Sequence, residues 1–152
     1  MLKPFVPTEE KLADLGDMLI KNELYLSDEH RNPETVAAIL LNHFGGLSEG
    51  VFYEVGDWQG LVGLANIVPG WKADLFFKVW DKSGWGATEG REIVEAVIGK
   101  FREMGLSRLS LHTPDEHTAK FARKHGFKEE GRFLNDFKWG GQSYDTICLV
   151  LN

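Results

Sequence analysis

The residues of this chain whose types and spacing could do chemistry lie in its middle. Ala73-Asp74-Leu75-Phe76-Phe77-Lys78-Val79-Trp80 runs through Asp81-Lys82-Ser83 into Gly84-Trp85-Gly86-Ala87-Thr88-Glu89, and an amphipathic stretch to Phe101 follows at once. Read as strand, glycine loop and helix start, such a segment brings backbone N–H groups and the positive end of a helix to one point, an arrangement that holds a phosphate. A phosphorylated cofactor is therefore the first expectation. The plain alternative is a tight strand-to-helix turn that uses glycine for positive φ.

The histidines invite a second chemistry and do not support it. His30, His43, His112, His117 and His125 include no pair at the i, i+4 spacing of a zinc site with an acidic partner, and the lone Cys148 lies far off. No metal is expected, and the five read as surface and helix-end residues. Cys148, in an alternating apolar stretch, reads as a buried thiol.

Hydrophobic residues make up 43% and charged residues 26% of the 152, which suits a soluble globular protein, and no apolar run approaches the ~20 residues of a membrane span. The start, Met1-Leu2-Lys3-Pro4-Phe5, lacks the apolar core of a secretory leader, and with a single cysteine this points to the cytoplasm. A net charge of −6 argues against general nucleic-acid binding and suits a cationic substrate, although acidity for solubility alone gives the same balance.

These residues need elements to position them. Thr8-Glu9-Glu10 ahead of Leu12, Leu15, Met18 and Leu19 predicts a capped helix, and Asn32-Pro33-Glu34 ahead of Val36, Ile39, Leu40 and Phe44 predicts another, ended by Gly45-Gly46. Val51–Val55, Leu61–Val68 and Lys72–Trp80, separated by glycine-containing turns, predict three antiparallel strands. Ile93, Val94, Val97, Phe101 and Met104 recur at helical spacing up to Gly105; Leu109 and Leu111 alternate in a short strand. Thr118 to His125 reads as a short helix, and Gly131–Trp139 and Ser143–Leu151 as a closing pair of strands.

This order, with the glycine loop between fourth strand and third helix, resembles the GCN5-related N-acetyltransferase (GNAT) family along essentially the whole chain. Gly84-Trp85-Gly86-Ala87-Thr88-Glu89 is similar to the family's acyl-CoA pyrophosphate loop, in the form seen in acetyltransferases of ribosomal-protein N-termini, polyamines and aminoglycosides. Between Ala119 and Asp145, Gly126-Phe127, Glu130-Gly131, Gly141 and Asp145 fall at the spacing of that branch's tail. The resemblance implies one α+β domain over residues 1–152, layered α/β/α, with a mixed, mostly antiparallel sheet of about six to seven strands splayed between the fourth and fifth, and about four helices. It implies acetyl-CoA as cofactor. Two departures stand out: Asp81 where the family usually has Arg or Gln, and Ala122 where a tyrosine acid is usual.

The resemblance also implies roles. N–H groups of Ser83, Gly84, Trp85, Gly86, Ala87 and Thr88 would hold the pyrophosphate, aided by Lys82 or Arg91, and Phe77, Lys78 and Val79 would pair along the pantetheine arm. Lys120, Arg123 and Lys124 would meet the adenosine 3′-phosphate, or form a solvated helix face. Asp74 would take the proton of the acceptor ammonium, or pair with Lys72 or Lys78 as a surface strand residue. Asp145 is a second base candidate or a structural carboxylate. Thr118 would be the thiolate's acid, or a helix-entry hydroxyl, with Tyr144 as fallback donor. The acceptor site is expected between the first two helices and the last strands, near Glu23, Tyr25, Asp28, Glu29 and His30, walled by Trp71, Phe137 and Trp139, or else this is an acidic surface loop over an aromatic core.

The leading expectation is thus an N-acetyltransferase moving acetyl from acetyl-CoA directly to a primary amine of a small molecule or peptide, with no membrane and a homodimer left open. A catalytically silent acyl-CoA-binding or protein-interaction module is the second reading. Acylation of an amino group on a nucleic acid or modified base is the third.

Overall fold

The computed structural model of the protein describes residues 1–152 apart from Asn22, Glu23 and Tyr25. Its elements follow the order β1 (Leu2–Pro4), α1 (Glu9–Ile20), a 3-10 turn (Asp28–His30), α2 (Pro33–Phe44), β2 (Val51–Val55), β3 (Gly60–Val68), β4 (Lys72–Val79), α3 (Glu89–Glu103), β5 (Arg108–Thr113), α4 (Glu116–Lys124), β6 (Lys128–Trp139) and β7 (Gln142–Leu151). The seven strands form one sheet in the order β1-β2-β3-β4-β5-β7-β6. All neighbours are antiparallel except β4 and β5. This mixed sheet with four α-helices is the α+β architecture that the sequence implied.

Capping residues set the helix starts. The Thr8 hydroxyl accepts from the Lys11 N–H, and Asn32 Oδ1 accepts from the Thr35 N–H at 2.9 Å with Pro33 in the first turn. The α4 start corrects the sequence reading. Asp115 caps the helix by accepting from the His117 and Thr118 N–H groups, so it opens at Glu116, ahead of Thr118.

Strand alternation divides the sheet into two cores. One face, with Val62, Leu64, Ala73, Leu109, Ile147 and Leu149, buries Ile93, Val97 and Phe101 of α3 and Ala119 and Ala122 of α4. The other face carries Leu61, Phe52 and Phe76 against Leu15, Met18 and Leu19 of α1 and Val36 and Leu40 of α2. At Gly63 a side chain would collide with the Val51 carbonyl of β2, so only glycine admits that close strand approach.

Two irregularities position the site. The β3–β4 register shifts between Ala65 and Val68, with Asn66 in the left-handed region at φ 50°. The β6–β7 register shifts between Phe133 and Phe137, where Asn135 takes φ 51°. No helix among the described residues is long and apolar enough to cross a membrane.

Candidate active site

β4 and β5 pair only along Lys72–Asp74 against Arg108–Ser110. From Leu75 to Val79, β4 keeps its β3 partners and has no strand among the described residues on its other side. A notch therefore opens in the sheet immediately beyond Asp74 and Ser110, and one of its walls is a strand edge that an extended ligand can pair with.

Period-two alternation sends Asp74, Phe76 and Lys78 to the α1–α2 face, while Leu75, Phe77 and Val79 pack on the α3–α4 core. On β5, Ser110 and His112 share the face of Asp74. Two cavities meet there. One, of about 280 Å³, lies between α1, α2, β4 and β5, and its wall is largely apolar, with Leu15, Leu19, Leu40, Phe44 and Phe76. The other, of about 730 Å³, is more polar and extends toward Lys72, Arg108, Glu130 and Arg132. Asn66, Asp74, Ser110 and His112 line both.

Hydrogen bonds fix the carboxylate at this junction. Asn42 Nδ2 donates to Asn66 Oδ1 at 3.3 Å, and Asn66 Nδ2 donates to Asp74 Oδ2 at 2.9 Å. The bulge at Asn66 aims its side chain across to β4. Lys78 extends the other way: the residue is half-buried, its ammonium end is enclosed by protein, and Nζ donates to the Leu24 carbonyl at 3.0 Å. Burial pushes its pKa down to about 8. His43 stands between, its ring 5.5 Å from that of Phe76 and 6.1 Å from that of Phe52, with a buried Nδ1 that no protein group partners among the described residues. Burial lowers the His43 pKa; Asp74 pulls it back up, and Lys78 pushes it down.

His43 was not legible as a site residue: it sits in the last turn of α2, as a helix-end histidine, but partly buried in the cavity wall and not on the surface. Asn66, Ser110, His112 and the Lys78 side chain were missed too. The alternation of Leu109 and Leu111 with Ser110 and His112 was the available signal for β5, since it assigns the polar pair to one face.

The glycine loop is more self-contained than expected. The Ser83 N–H donates to Asp81 Oδ1 at 2.9 Å, the Trp85 N–H to the Lys82 carbonyl at 3.0 Å, and the Gly86 N–H to Glu89 Oε2 at 2.8 Å. Gln59 Nε2 ties the loop to the β2–β3 turn through the Ser83 carbonyl. The expected run of free donors from Ser83 to Thr88 is thus reduced to Gly84, Ala87 and Thr88, whose N–H groups have no internal acceptor among the described residues, joined by the first turn of α3. Gly84, at φ 79°, supplies the left-handed turn. Trp85 folds inward against the α3–α4 core, and Lys82 and Arg91 are exposed.

The remaining expected residues lie elsewhere. Thr118 Oγ1 donates to Asp115 Oδ2 at 2.8 Å, so its only proton is already committed to a carboxylate. Asp145 accepts from the Asn135 N–H at 2.9 Å and clamps the β6 irregularity, the structural one of its two readings. The Tyr144 hydroxyl, on the same hairpin, donates to Gln142 Oε1 at 3.0 Å. Asp145 and Tyr144 line neither cavity. Of the basic cluster, Arg123 is paired with Glu129 at 2.8 Å, while Lys120 and Lys124 are exposed.

The acceptor-site residues also shift. Asp28 spends both oxygens: Oδ2 accepts from the Gly141 N–H at 2.9 Å, Oδ1 from the Gly140 N–H at 3.1 Å, and Arg31 also bonds Oδ1. The Gly141 N–H, then Arg31, hold its pKa below the usual carboxylate value. Asp28 is a clasp that ties the β6–β7 tip to the α1–α2 connection. Glu29 is exposed, and Trp71 is 53% exposed at the β3–β4 turn with Lys72 over its ring, so neither walls a cavity. Phe137 and Trp139 lie half-buried on the hairpin held by the clasp, outside both cavities. Tyr25 and Glu23 lie outside the described residues.

Among the described residues, no group of three or more His, Cys, Asp or Glu side chains is placed to hold a metal. No family model matches the sequence, and no curated protein matches it by sequence. Solved structures do match the fold. The chain is similar to a spermidine N-acetyltransferase from Vibrio cholerae in complex with CoA and spermine, with TM-score 0.71 and 16% identity over 99% of this chain and 94% of that one. A mutant form of a Vibrio cholerae spermidine N-acetyltransferase gives TM-score 0.70 and 20% identity over 99% and 92%. A candidate phosphinothricin N-acetyltransferase gives TM-score 0.69 and 16% identity over 99% and 97%. With the notch between β4 and β5, these likenesses show that the chain has the fold of the GCN5-related N-acetyltransferases.

Proposed function

We propose that the protein is an acetyl-CoA-dependent N-acetyltransferase that passes acetyl directly to a primary amine. One observation carries this reading: the β4–β5 pairing ends at Asp74 and Ser110, and those same residues line the junction of the two cavities. A group threaded along the free edge of β4 ends beside a carboxylate that faces an amine-sized space.

Acetyl-CoA supplies an acetyl carbon activated as a thioester. The free edge from Leu75 to Val79 suits its extended arm, and the unpaired N–H groups of Gly84, Ala87, Thr88 and the α3 first turn suit its pyrophosphate. The Glu89 and Asp81 carboxylates oppose that anion and must turn aside. Along the edge, a β4 N–H aimed at the acetyl oxygen would stabilise its developing negative charge, worth about 3–4 kcal/mol where such donors have been removed in other enzymes.

An ammonium with an intrinsic pKa near 10 cannot attack until it loses a proton. Asp74, held in place by Asn66, binds the ammonium and takes that proton directly or through water. His43, kept uncharged by burial among aromatic rings, does not compete electrostatically for this cationic group. The spermidine and phosphinothricin named for the similar structures both fit transfer to an amine.

The silent-module reading draws on two observations: the loop N–H groups taken up by Asp81 and Glu89, and the Thr118 proton held by Asp115. Incubation with acetyl-CoA and a panel of primary amines separates the two readings. Acetyl transfer predicts release of free CoA thiol and an acetylated amine; CoA binding with neither product would leave the binding module.

A further inference from the structure

Lys78 is the group in the apolar cavity whose charge is left unanswered. Its enclosed ammonium donates one hydrogen bond, to the neutral Leu24 carbonyl, and no carboxylate among the described residues forms an ion pair with it. A buried ammonium held by a single carbonyl is costly to maintain, and a bound anion would relieve that cost. Asp74 is the only carboxylate among the cavity's described lining residues, and it is already engaged by Asn66.

The spacing suggests where the anion comes from. Asp74 and Lys78 face the same cavity from positions four residues apart on one strand, so their backbone anchors lie about 13 Å apart. A ligand bonded at both ends would carry its charged groups at the two ends of an apolar spacer that lies against Leu40, Phe44 and Phe76.

Resting on the acetyl-transfer reading above, we propose that the acceptor is a primary amine carrying a carboxylate across an apolar spacer, its amine at Asp74 and its carboxylate at Lys78. Lys78 is then a specificity-determining residue. An acceptor with several ammonium groups is disfavoured, because its second cation would approach Lys78 in a site of low polarity.

The test uses 6-aminohexanoate, hexylamine and spermidine with the full chain. Thiol release from acetyl-CoA gives kcat/KM, and calorimetry in the presence of CoA gives binding without turnover. The expected result is about tenfold or greater preference for 6-aminohexanoate in both measurements. Lys78→Met should bring that ratio to within about twofold, acting through KM, and Lys78→Arg should retain it, with melting curves confirming that both variants fold. Preference for hexylamine or spermidine in the wild type, or a ratio unchanged in Lys78→Met, would overturn the assignment. Selective binding of 6-aminohexanoate that depends on Lys78, without thiol release from any amine, supports the Lys78 site and defeats acetyl transfer; release without that selectivity does the reverse.

Discussion

Asn66 and Asp74 are joined by a 2.9 Å hydrogen bond across the β3–β4 bulge, with Asn66 donating to the carboxylate that faces both cavities. The bulge and its left-handed residue make a polar bracket of a side chain that regular pairing would point elsewhere. A hydrogen bond to a charged group contributes about 1.5–3 kcal/mol, so Asn66→Ala should lower kcat by about tenfold or more as Asp74 loses its fixed orientation. Because alanine is strained at φ 50°, the melting temperature should fall by a few degrees, and the kinetics are read well below it. Steady-state kinetics beside a melting curve checks both.

Asp81 and Glu89 each hold a loop N–H while presenting negative charge beside the proposed phosphate site. Asp81→Asn and Glu89→Gln keep an oxygen acceptor for that N–H and remove the charge. Each should tighten CoA binding by about threefold to tenfold at low salt, and the gain should shrink as salt is raised. Titration calorimetry at two ionic strengths measures this; unchanged affinity would place the pyrophosphate elsewhere.

Glu54, 2% exposed, is held by Lys11 and by Lys3 at 2.9 Å. Burial pushes its pKa up, but the hydrogen bonds from Lys11 and Lys3 together outweigh it, so the folded-state value lies below the usual 4.5. A carboxyl depressed in the folded state contributes stability that is complete above its unfolded pKa and is lost as pH falls through the folded one. Glu54→Gln should therefore cost about 1–2 kcal/mol at neutral pH, less than a fully buried pair because Lys3 rehydrates, and the difference from wild type should close below about pH 4.5. Denaturant unfolding from pH 3 to pH 7 tests this.

Lys78 gives a slope of the same sign at higher pH, for the opposite reason: the fold disfavours its charged form. Its folded pKa of about 8 lies below the ordinary 10.5, so between those values the unfolded chain binds the extra proton and folding stability rises with pH. Lys78→Met should be more stable than wild type at pH 7, with the advantage shrinking from pH 8 to pH 10. A constant difference across that range would mean that the ammonium is solvated.

The Asp28 clasp should govern the hairpin more than the chemistry. Asp28→Ala removes the acceptor for the Gly140 and Gly141 N–H groups, so those two amides should exchange with solvent faster while the β5–β7 ladder stays protected. Hydrogen exchange read by mass spectrometry resolves the two segments.

Fold and site were legible to different depths. Hydrophobic period and capping residues such as Thr8 and Asn32 marked the elements, because burial and free helix-end N–H groups act locally along the chain. Asp74 was reachable through the family resemblance. His43, Asn66 and the Lys78 side chain were not, because their roles come from a bulge within the β3–β4 hairpin and from which face of β4 meets α2, relations that only strand pairing and packing establish. Asp145 and Asp28 show the converse: residue type suggested chemistry, while both carboxylates hold backbone N–H groups of the β6–β7 hairpin.

The central claim is that Asp74, at the point where β4 and β5 part, receives the proton of an amine about to be acetylated. Its most direct test is the release of CoA thiol from acetyl-CoA with a primary amine, compared between wild type and Asp74→Asn. The account predicts turnover by the wild type and a fall in kcat of about 100-fold or more in the variant, with CoA affinity unchanged. Equal kcat in the two proteins, or no thiol release by a wild type that binds CoA, would contradict it.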